Sequence, residues 1–308
     1  MLPTSGIFRV WESGRGKPLA LSAKIAGFYP YDGDGEPDDW EAVPPLPTLV
    51  HDARLRQAEA ESEAAFFARH SFVLLRHGDA EAQRELAAGG PLSPRYEDQI
   101  RALIRQRLLP GIRIEFQKRS MLLRRGDGTR IPYYGTMPHQ DYGPSPDDFQ
   151  ASMAAYLSPE TGRAWRRRYE SDDVEGFMMI NFWRTTAMSE PLRHMPLAVC
   201  DPMSISLGDI VEMDIGYLTP SGIPVRQLGL RGNRGQIWYH YPGMESGEVL
   251  AFKVFQFFKQ GDRDVFQSCF HTAFADPTAP PDAAPRQSCE HRFGLFCLKP
   301  DARHAEGT

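Results

Sequence analysis

Glycine and proline recur along the whole chain and limit the folds that it can adopt. The 308 residues include 27 glycines and 26 prolines. Both residue types interrupt helices and favour turns, so their abundance predicts an all-β or mixed fold and argues against a helical bundle. A chain of this length can bury about three quarters of its unfolded surface, so it needs no metal or disulfide merely to stay folded.

The order of sequence patterns predicts an α+β fold. Helix-like stretches dominate the first half, and short apolar or alternating stretches typical of strands dominate the second. No regular strand–helix–strand alternation is present, which favours a β-sandwich or barrel core. We expect residues 1–50 to form an arm packed on this core and residues 51–308 to form one domain with a helical N-terminal part. The predicted helices cover 53–69, 78–89, 94–108, 146–170 and 245–258, and the predicted strands cover 71–75, 112–123, 177–183, 204–217, 225–230, 236–241 and 290–298.

Charge and apolar content narrow the class of protein. The formal net charge is −5, whereas nucleic-acid-binding domains usually carry a basic excess, so we expect no nucleic-acid partner. The dense basic run at 163–168 is interleaved with acids, which is typical of a solvated helix face. The sequence contains no run of about 18 apolar residues and no signal-peptide pattern at its start, so we expect no membrane association.

Four cysteines are present, at positions 200, 269, 289 and 297, and no two form a CxxC pair. Such sparse usage in a large chain is typical of reduced thiols, which predicts a cytoplasmic protein. We interpret the four cysteines as small core residues and not as a zinc site.

One histidine, His139, lies close in sequence to a carboxylate with which it could bind a metal. His139 and Asp141 are separated by Gln140, and this spacing places an imidazole and a carboxylate on the same face of a strand. A third ligand from a distant strand would complete a 2-His-1-carboxylate triad, which leaves open positions on the metal and is typical of non-haem Fe(II) oxygenases. A His-x-Asp motif is common by chance. The prediction of an oxygenase site therefore also requires a distal histidine and a residue that anchors the cosubstrate.

Downstream residues offer both. His271 lies among aromatic neighbours, and Arg286 and Ser288 follow with strand spacing. A guanidinium and a hydroxyl on one face can bind a carboxylate such as the remote one of 2-oxoglutarate. Two alternatives stay open: His240 as the third metal ligand, and Arg292 as the carboxylate anchor.

The order His-x-Asp, distal His and Arg-x-Ser resembles the Fe(II)/2-oxoglutarate-dependent dioxygenase superfamily. Longer stretches are similar to a branch that contains the cephamycin-pathway hydroxylase and the AsaB-type hydroxylase family of secondary metabolism. The resemblance covers roughly residues 65 to 298. The matching stretches are 181–184, 196–201, 236–244, 248–253, 271–277 and 285–288.

This resemblance implies a double-stranded β-helix (jelly-roll) core with flanking helices. It also implies Fe(II), 2-oxoglutarate and O2 as reactants. His139, Asp141 and His271 fall on the iron ligands, and Arg286 and Ser288 on the cosubstrate anchor. The gap from His271 to Arg286 is longer than is common in the superfamily, which is why Arg292 remains a rival.

Three further residues are candidates for the substrate pocket. Arg184 could face the pocket and pair with an acidic substrate group, or form a structural pair with Trp183. Asn181 is expected on the same strand face, where it could help to hold 2-oxoglutarate or substrate, and Tyr142 could line the pocket. Lys253 is interpreted as a solvated helix residue.

The sequence therefore predicts an oxygenase that hydroxylates, desaturates or oxidatively cyclises a small natural-product or amino-acid-derived substrate. Two other classes stay open. One is a jelly-roll protein that binds a ligand without redox turnover, and the other is a metal-dependent hydrolase or isomerase that uses the same triad.

Overall fold

Two β-sheets with helices packed against them form the structure. The computed structural model describes residues 4–9, 11–12, 45–88, 91–118, 120–129, 134–215, 219, 222–261 and 263–300. In chain order the strands are β1 (Thr4–Arg9), β2 (Trp11–Glu12), β3 (Pro45–Asp52), β4 (Phe72–Arg76), β5 (Ile114–Phe116), β6 (Met121–Arg125), β7 (His139–Gln140), β8 (Val174–Thr185), β9 (Leu197–Cys200), β10 (Ile210–Ile215), β11 (Val225–Gly232), β12 (Trp238–His240), β13 (Glu248–Gln260), β14 (Arg263–Gln267), β15 (His271–Ala273) and β16 (Ser288–Leu298).

The chain crosses several times between the two sheets. The first sheet has the order β1-β3-β12-β9-β15-β7-β11-β10, with β2 beside β11. The second has the order β14-β13-β8-β16-β5, with β4 beside β13 and β6 beside β16. Along the chain, β7, β9 and β15 join the first sheet, whereas β8, β13 and β16 join the second. This alternation gives a double-stranded β-helix and confirms the expected α+β fold with a jelly-roll core.

Six α-helices lie in the described part of the chain, and all of them precede β8. Three of them begin with a Ser-Pro pair, in which the serine hydroxyl accepts a backbone hydrogen bond and proline occupies the first turn. A π-helical segment, Ile104–Leu108, continues α4. The helices are α1 (Ala53–Ala58), α2 (Glu63–His70), α3 (Ala80–Ala88), α4 (Pro94–Leu103), α5 (Pro146–Tyr156) and α6 (Pro159–Tyr169).

Three predicted elements are divided in the structure, and one of them is the helix predicted over 146–170, which forms α5 and α6. The helix predicted over 53–69 ends at Ala58 and restarts at Glu63, because the Ser62 hydroxyl caps a new helix by accepting from Ala65 N. The strand predicted over 112–123 is split into β5 and β6, which pair with different parts of β16. The strands predicted at 71–75 and 290–298 are confirmed as β4 and β16.

The helix predicted over 245–258 is wrong. Residues 248–260 form β13, which pairs with β4, β8 and β14 in the second sheet. The strand is buried on both faces over most of its length, so it has no polar face to distinguish it from a buried helix. Its Val and Phe content, at Val249, Phe252, Val254 and Phe255, is the signal that favours a strand.

The N-terminal boundary predicted at residue 50 stays a prediction. β1 pairs with β3, and β3 runs from Pro45 to Asp52 beside β12 of the first sheet. Residues 13–44 lie outside the described residues.

The four cysteines are buried and form no disulfide, as expected of small core residues. Within the described ranges, no helix is both long and apolar enough to cross a membrane.

Candidate metal centre

His139, Asp141 and His271 meet between the two sheets. His139 is in β7, Asp141 follows that strand directly, and His271 begins β15, where it is paired with His139. One ligand atom from each residue lies within 4.8 Å of the other two. The Nε2 atom of His139 is 4.0 Å from Asp141 Oδ1, and that of His271 is 3.8 Å from Asp141 Oδ2. The structure therefore brings together the three predicted metal ligands.

Backbone carbonyls orient both imidazoles. His139 Nδ1 lies 2.8 Å from the Met137 carbonyl oxygen, and His271 Nδ1 lies 3.5 Å from that of Cys269. When Nδ1–H donates to the carbonyl, Nε2 carries the lone pair and faces the cluster. Burial lowers the pKa of His139 well below its ordinary value, and it also lowers the pKa of His271. Both rings are thus neutral near pH 7, as metal ligation requires.

Charged and polar side chains of the second sheet form a network that contacts Asp141. Arg292 Nη2 donates to Asp141 Oδ1 at 3.0 Å and lies 3.2 Å from Glu290 Oε1. Glu290 Oε2 accepts from Asn181 Nδ2 at 2.9 Å, and Arg125 Nη2 approaches Oε1 at 3.4 Å. Burial opposes ionisation of Glu290, but Arg292 and Arg125 outweigh it and hold its pKa well below the usual range.

A different environment surrounds the start of β16. Arg286 is 1% exposed, and its guanidinium lies 4.1 Å from the Tyr134 ring centroid and 5.4 Å from that of Trp183. Its Nη1 donates to the Met195 carbonyl oxygen, and among the described residues it has no carboxylate partner. Burial, and next the charge of Arg125, lower the pKa of Arg286 to about 9.

Two hydroxyl groups beside Arg286 also lack partners. Ser288 and Thr185 are directly opposite each other on β16 and β8, so their side chains share a face. Both are buried, and neither Ser288 Oγ nor Thr185 Oγ1 makes a hydrogen bond within the part of the chain that the structure describes. A buried polar group without a partner is expensive, so this group of donors is suited to an anion that is absent from the protein itself.

Tyr142 and Asn181 lie close to the cluster. Arg292 approaches the Tyr142 ring at 5.9 Å, and Tyr142 packs edge-on against Phe149 and Phe255. Asn181 is opposite Arg292 on β8 and holds Glu290. Both residues therefore support the charged network from within the sandwich.

Arg184 is not brought to the cluster. It is three positions from Asn181, and an odd separation places the two side chains on opposite faces of β8, contrary to the expectation of a shared face. Arg184 is fully buried, and its guanidinium bonds to the His77 ring at 3.0 Å and to the His77 carbonyl oxygen at 3.2 Å. It serves as a structural link between β8 and the loop after β4.

His240 also points away. It is opposite Ala198, which is opposite Thr272, whereas His271 is opposite Val199. Neighbouring positions of a strand face opposite sides, so His240 and His271 lie on different faces of the first sheet. The His240 ring packs edge-on against Phe274 at 5.2 Å. The alternative that made it the third ligand does not agree with this arrangement.

Lys253 is a buried strand residue rather than a solvated helix residue. It lies in β13, only 6% exposed, and its Nζ is 5.3 Å from the Phe67 ring centroid. Burial lowers the pKa of Lys253 to about 8.

Glu290, Arg125, Thr185 and Trp183 are site residues that sequence reasoning missed. The signal for Glu290 was present, because Ser288, Glu290 and Arg292 alternate along a buried strand. A run of polar residues with period two in an apolar strand marks one polar face. Arg125 and Trp183 carry no such signal, since strand pairing alone brings them to the site.

The donor set fits a divalent transition metal. Two imidazole nitrogens and a carboxylate oxygen are the ligands of the facial triad of non-haem iron sites. Asp141 Oδ2 is buried and makes no hydrogen bond, so one acceptor is left for a cation.

Comparison with protein families places the chain. A family model described as "Oxidoreductase/YMDC permease-like domain" matches residues 45–296. The chain belongs to this family. The match begins at β3 and ends within β16, so it includes all three residues of the metal cluster and both candidate anchor arginines.

Individual proteins are also similar to the chain. The chain is 25% identical over 173 residues to "Aspirochlorine biosynthesis protein N" of Aspergillus oryzae, which is 55% of this chain and 67% of that protein. Its structure is similar to the "iron and alpha-ketoglutarate-dependent endoperoxidase NvfI", with a TM-score of 0.61, 18% identity and coverage of 96% and 98% of the two chains. A tryptophan-to-phenylalanine variant of that enzyme gives a TM-score of 0.66 at 19% identity, with 96% and 97% covered. These likenesses establish the fold.

Proposed function

We propose that the protein is an Fe(II)/2-oxoglutarate-dependent oxygenase that acts on a small natural-product or amino-acid-derived substrate. The observation that carries the proposal is the cluster of His139, Asp141 and His271 between the two sheets. The endoperoxidase with the same fold is named as iron- and alpha-ketoglutarate-dependent, and the fungal relative is named for the biosynthesis of a natural product.

The three protein ligands would hold Fe(II) through His139 Nε2, Asp141 Oδ2 and His271 Nε2. Three protein ligands leave positions open for a bidentate 2-oxo acid and for O2. When bound, the iron supplies O2 activation coupled to oxidative decarboxylation of 2-oxoglutarate to succinate and CO2, together with oxidation of the substrate.

Arg286, Ser288 and Thr185 would hold the remote carboxylate of 2-oxoglutarate. The support is their position and their lack of partners among the described residues. Arg286 lies two residues before Ser288, which is opposite Thr185; the guanidinium has no carboxylate partner and the two hydroxyls make no hydrogen bond. A carboxylate there would satisfy the hydroxyls and restore the pKa of Arg286, which burial now lowers. Arg292 is the weaker candidate for the carboxylate anchor, since it already forms ion pairs with Asp141 and Glu290.

The protein's own part is to position the reactants and exclude water. The metal ligands are 4% exposed, and Phe252 packs on the His271 ring at 4.7 Å between centroids. A rigid, dry surround of this kind fixes ligand geometry and limits side reactions. We propose further that the protein works in the cytoplasm and that residues 1–50 form an arm on a single oxygenase domain.

The test is a succinate-release assay with Fe(II), 2-oxoglutarate and O2 against a panel of natural-product and amino-acid-derived compounds. Succinate formation that depends on all three reactants and increases with one compound would support the proposal. Turnover of a compound without O2 and without 2-oxoglutarate would favour a metal-dependent hydrolase or isomerase. Tight binding of a compound with no succinate at any concentration would favour a ligand-binding jelly roll.

A further inference from the structure

A second buried carboxylate lies beside the metal cluster without belonging to it. Glu290 is 5% exposed, and Arg292 Nη2 lies 3.2 Å from its Oε1 atom. The same nitrogen donates to Asp141 Oδ1 at 3.0 Å. One guanidinium nitrogen therefore stands between the two carboxylates, whose nearest oxygens are no further apart than the sum of these two distances.

The four oxygens of the two carboxylates differ in their hydrogen-bond and ion-pair partners. Glu290 Oε2 accepts from Asn181, and Glu290 Oε1 faces both Arg125 and Arg292. Asp141 Oδ1 accepts from Arg292. Of these four oxygens, Asp141 Oδ2 is the one that no donor of the described residues reaches. The network thus leaves one carboxylate oxygen available to a cation and withholds the other three.

Without the guanidinium, this arrangement would not persist. Two buried carboxylates at such a separation repel each other strongly when both are ionised. A divalent cation would relieve the repulsion by binding both, because carboxylate oxygens are good ligands for it. A second carboxylate ligand would fill a position that the chelating 2-oxo acid or O2 needs.

We propose that Arg292 is a positioning residue that presents Asp141 to the metal through Oδ2 alone and keeps Glu290 out of the coordination sphere. The inference rests on the proposed function, since it concerns the positions left open for 2-oxoglutarate and O2. It gives the two arginines of this region separate tasks, because Arg286 binds the cosubstrate and Arg292 sets the number of protein ligands.

The experiment uses anaerobic Co(II), whose visible absorption reports the ligands around the metal, with the full chain. Wild type, Arg292→Met, Glu290→Gln and the double variant are each titrated with Co(II) and then with 2-oxoglutarate. Methionine keeps the unbranched, flexible stem of the side chain but has no guanidinium and donates no hydrogen bond, and glutamine keeps the shape of Glu290 but removes its charge. Melting temperatures are measured in parallel.

We expect Arg292→Met to bind Co(II) at least as tightly as wild type, because Glu290 joins the metal. The double variant then binds at least about tenfold more weakly than Arg292→Met, which is about 1.4 kcal/mol. 2-Oxoglutarate changes the Co(II) spectrum of wild type, Glu290→Gln and the double variant but not that of Arg292→Met. Equal affinity of Arg292→Met and the double variant, with a normal response to 2-oxoglutarate in both, would overturn the inference.

Glu290→Gln keeps the test decisive if Arg292→Met does not fold. We expect it to bind Co(II) within about threefold of wild type and to respond to 2-oxoglutarate, because Glu290 is not a ligand. A loss of more than about tenfold would make Glu290 a ligand in the wild type and overturn the inference. Failure of wild type to bind Co(II) at all would overturn the proposed function as well, so the two failures are distinguishable.

Discussion

Arg292 lies within β16 and Arg286 lies two residues before it, and both are buried, yet their surroundings differ. Arg292 lies between two carboxylates, Asp141 and Glu290. Arg286 contacts two aromatic rings and a carbonyl oxygen, beside hydroxyl groups that bond to nothing. A buried charge needs a partner. The difference teaches that the protein satisfies one arginine itself and leaves the other for a ligand.

The largest expected effect is at the metal end of this comparison. His139→Ala, Asp141→Ala and His271→Ala should each weaken Fe(II) binding by more than the ~100-fold that loss of an outer partner of a metal ligand can cost, while the fold survives. Metal analysis and titration calorimetry measure it. His240→Ala is the matched control, since its ring lies on the other face of the first sheet. Metal loss in His240→Ala but not in His271→Ala would reverse the assignment.

The next largest effect is expected at Arg286, the proposed anchor of 2-oxoglutarate. Arg286→Ala removes a charged partner from a buried site, which costs on the order of 2–5 kcal/mol. We therefore expect the KM for 2-oxoglutarate to rise by roughly thirtyfold or more, with Fe(II) affinity nearly intact. Arg286→Lys should rescue only part of the loss, because an ammonium cannot form the planar fork. Complete rescue by lysine would argue against a bidentate grip on the carboxylate.

A buried arginine on the opposite face of β8 sharpens the contrast. Arg184→Ala removes hydrogen bonds to His77 and leaves buried acceptors unsatisfied. We expect a loss of about 1–3 kcal/mol in the free energy of unfolding, with no change in the KM for 2-oxoglutarate. Denaturant titration and steady-state kinetics measure the two quantities. A raised substrate KM at unchanged stability would restore Arg184 to the substrate pocket.

Ser288→Ala tests a single hydroxyl of the unpaired group. One hydrogen bond to a charged group is worth about 1–2 kcal/mol, so the affinity for 2-oxoglutarate should fall by about fivefold to thirtyfold. Thr185→Val, the residue opposite, should have an effect of similar sign. Unchanged affinity in both variants would show that the carboxylate lies elsewhere.

The smallest expected effect concerns His291, on the outer face of β16, and changes only the free energy of unfolding. Burial, and next the charges of Arg101 and Arg124, lower the pKa of His291 to about 3, whereas an unfolded histidine has a pKa of about 6.5. Below that pH the unfolded chain gains a proton that the folded one does not. The stability contributed by the neutral ring is therefore lost as pH falls, by roughly 1–2 kcal/mol at pH 5. His291→Phe should have a flatter stability curve between pH 7 and 5 than wild type, and an identical slope would contradict the assignment.

Two residues of the metal cluster could be predicted from local spacing, whereas the third, His271, came from the order of motifs that the superfamily resemblance supplied. His139 and Asp141 share a strand face by their separation alone, and Ser288, Glu290 and Arg292 do so in the same way. What the sequence could not give was which strands would be neighbours. The pairing of β8 with β16 brings Asn181 opposite Arg292, and this pairing spans more than a hundred residues.

Two of the errors have a common physical origin, and the third has a different one. The sequence of β13 predicts a helix because burial on both faces removes the alternation that identifies a strand. The assignment of Lys253 to solvent fails for the same reason, since the pattern around it does not reveal a second buried face. Arg184 is an odd number of positions from Asn181, so attention to strand period corrects its placement in the pocket.

The most direct test of the central claim compares two 2-oxo acids on anaerobic Fe(II) protein. 2-Oxoglutarate and pyruvate can chelate the metal alike, but pyruvate has no remote carboxylate for Arg286. Each is titrated while the visible charge-transfer band of the chelate is followed, in wild type and in Arg286→Ala. We predict that wild type binds 2-oxoglutarate at least thirtyfold more tightly than pyruvate, on the order of 2 kcal/mol, and that Arg286→Ala loses most of this preference by weakening 2-oxoglutarate alone. A preference that survives in Arg286→Ala, or the absence of any chelate band in wild type, would contradict the account.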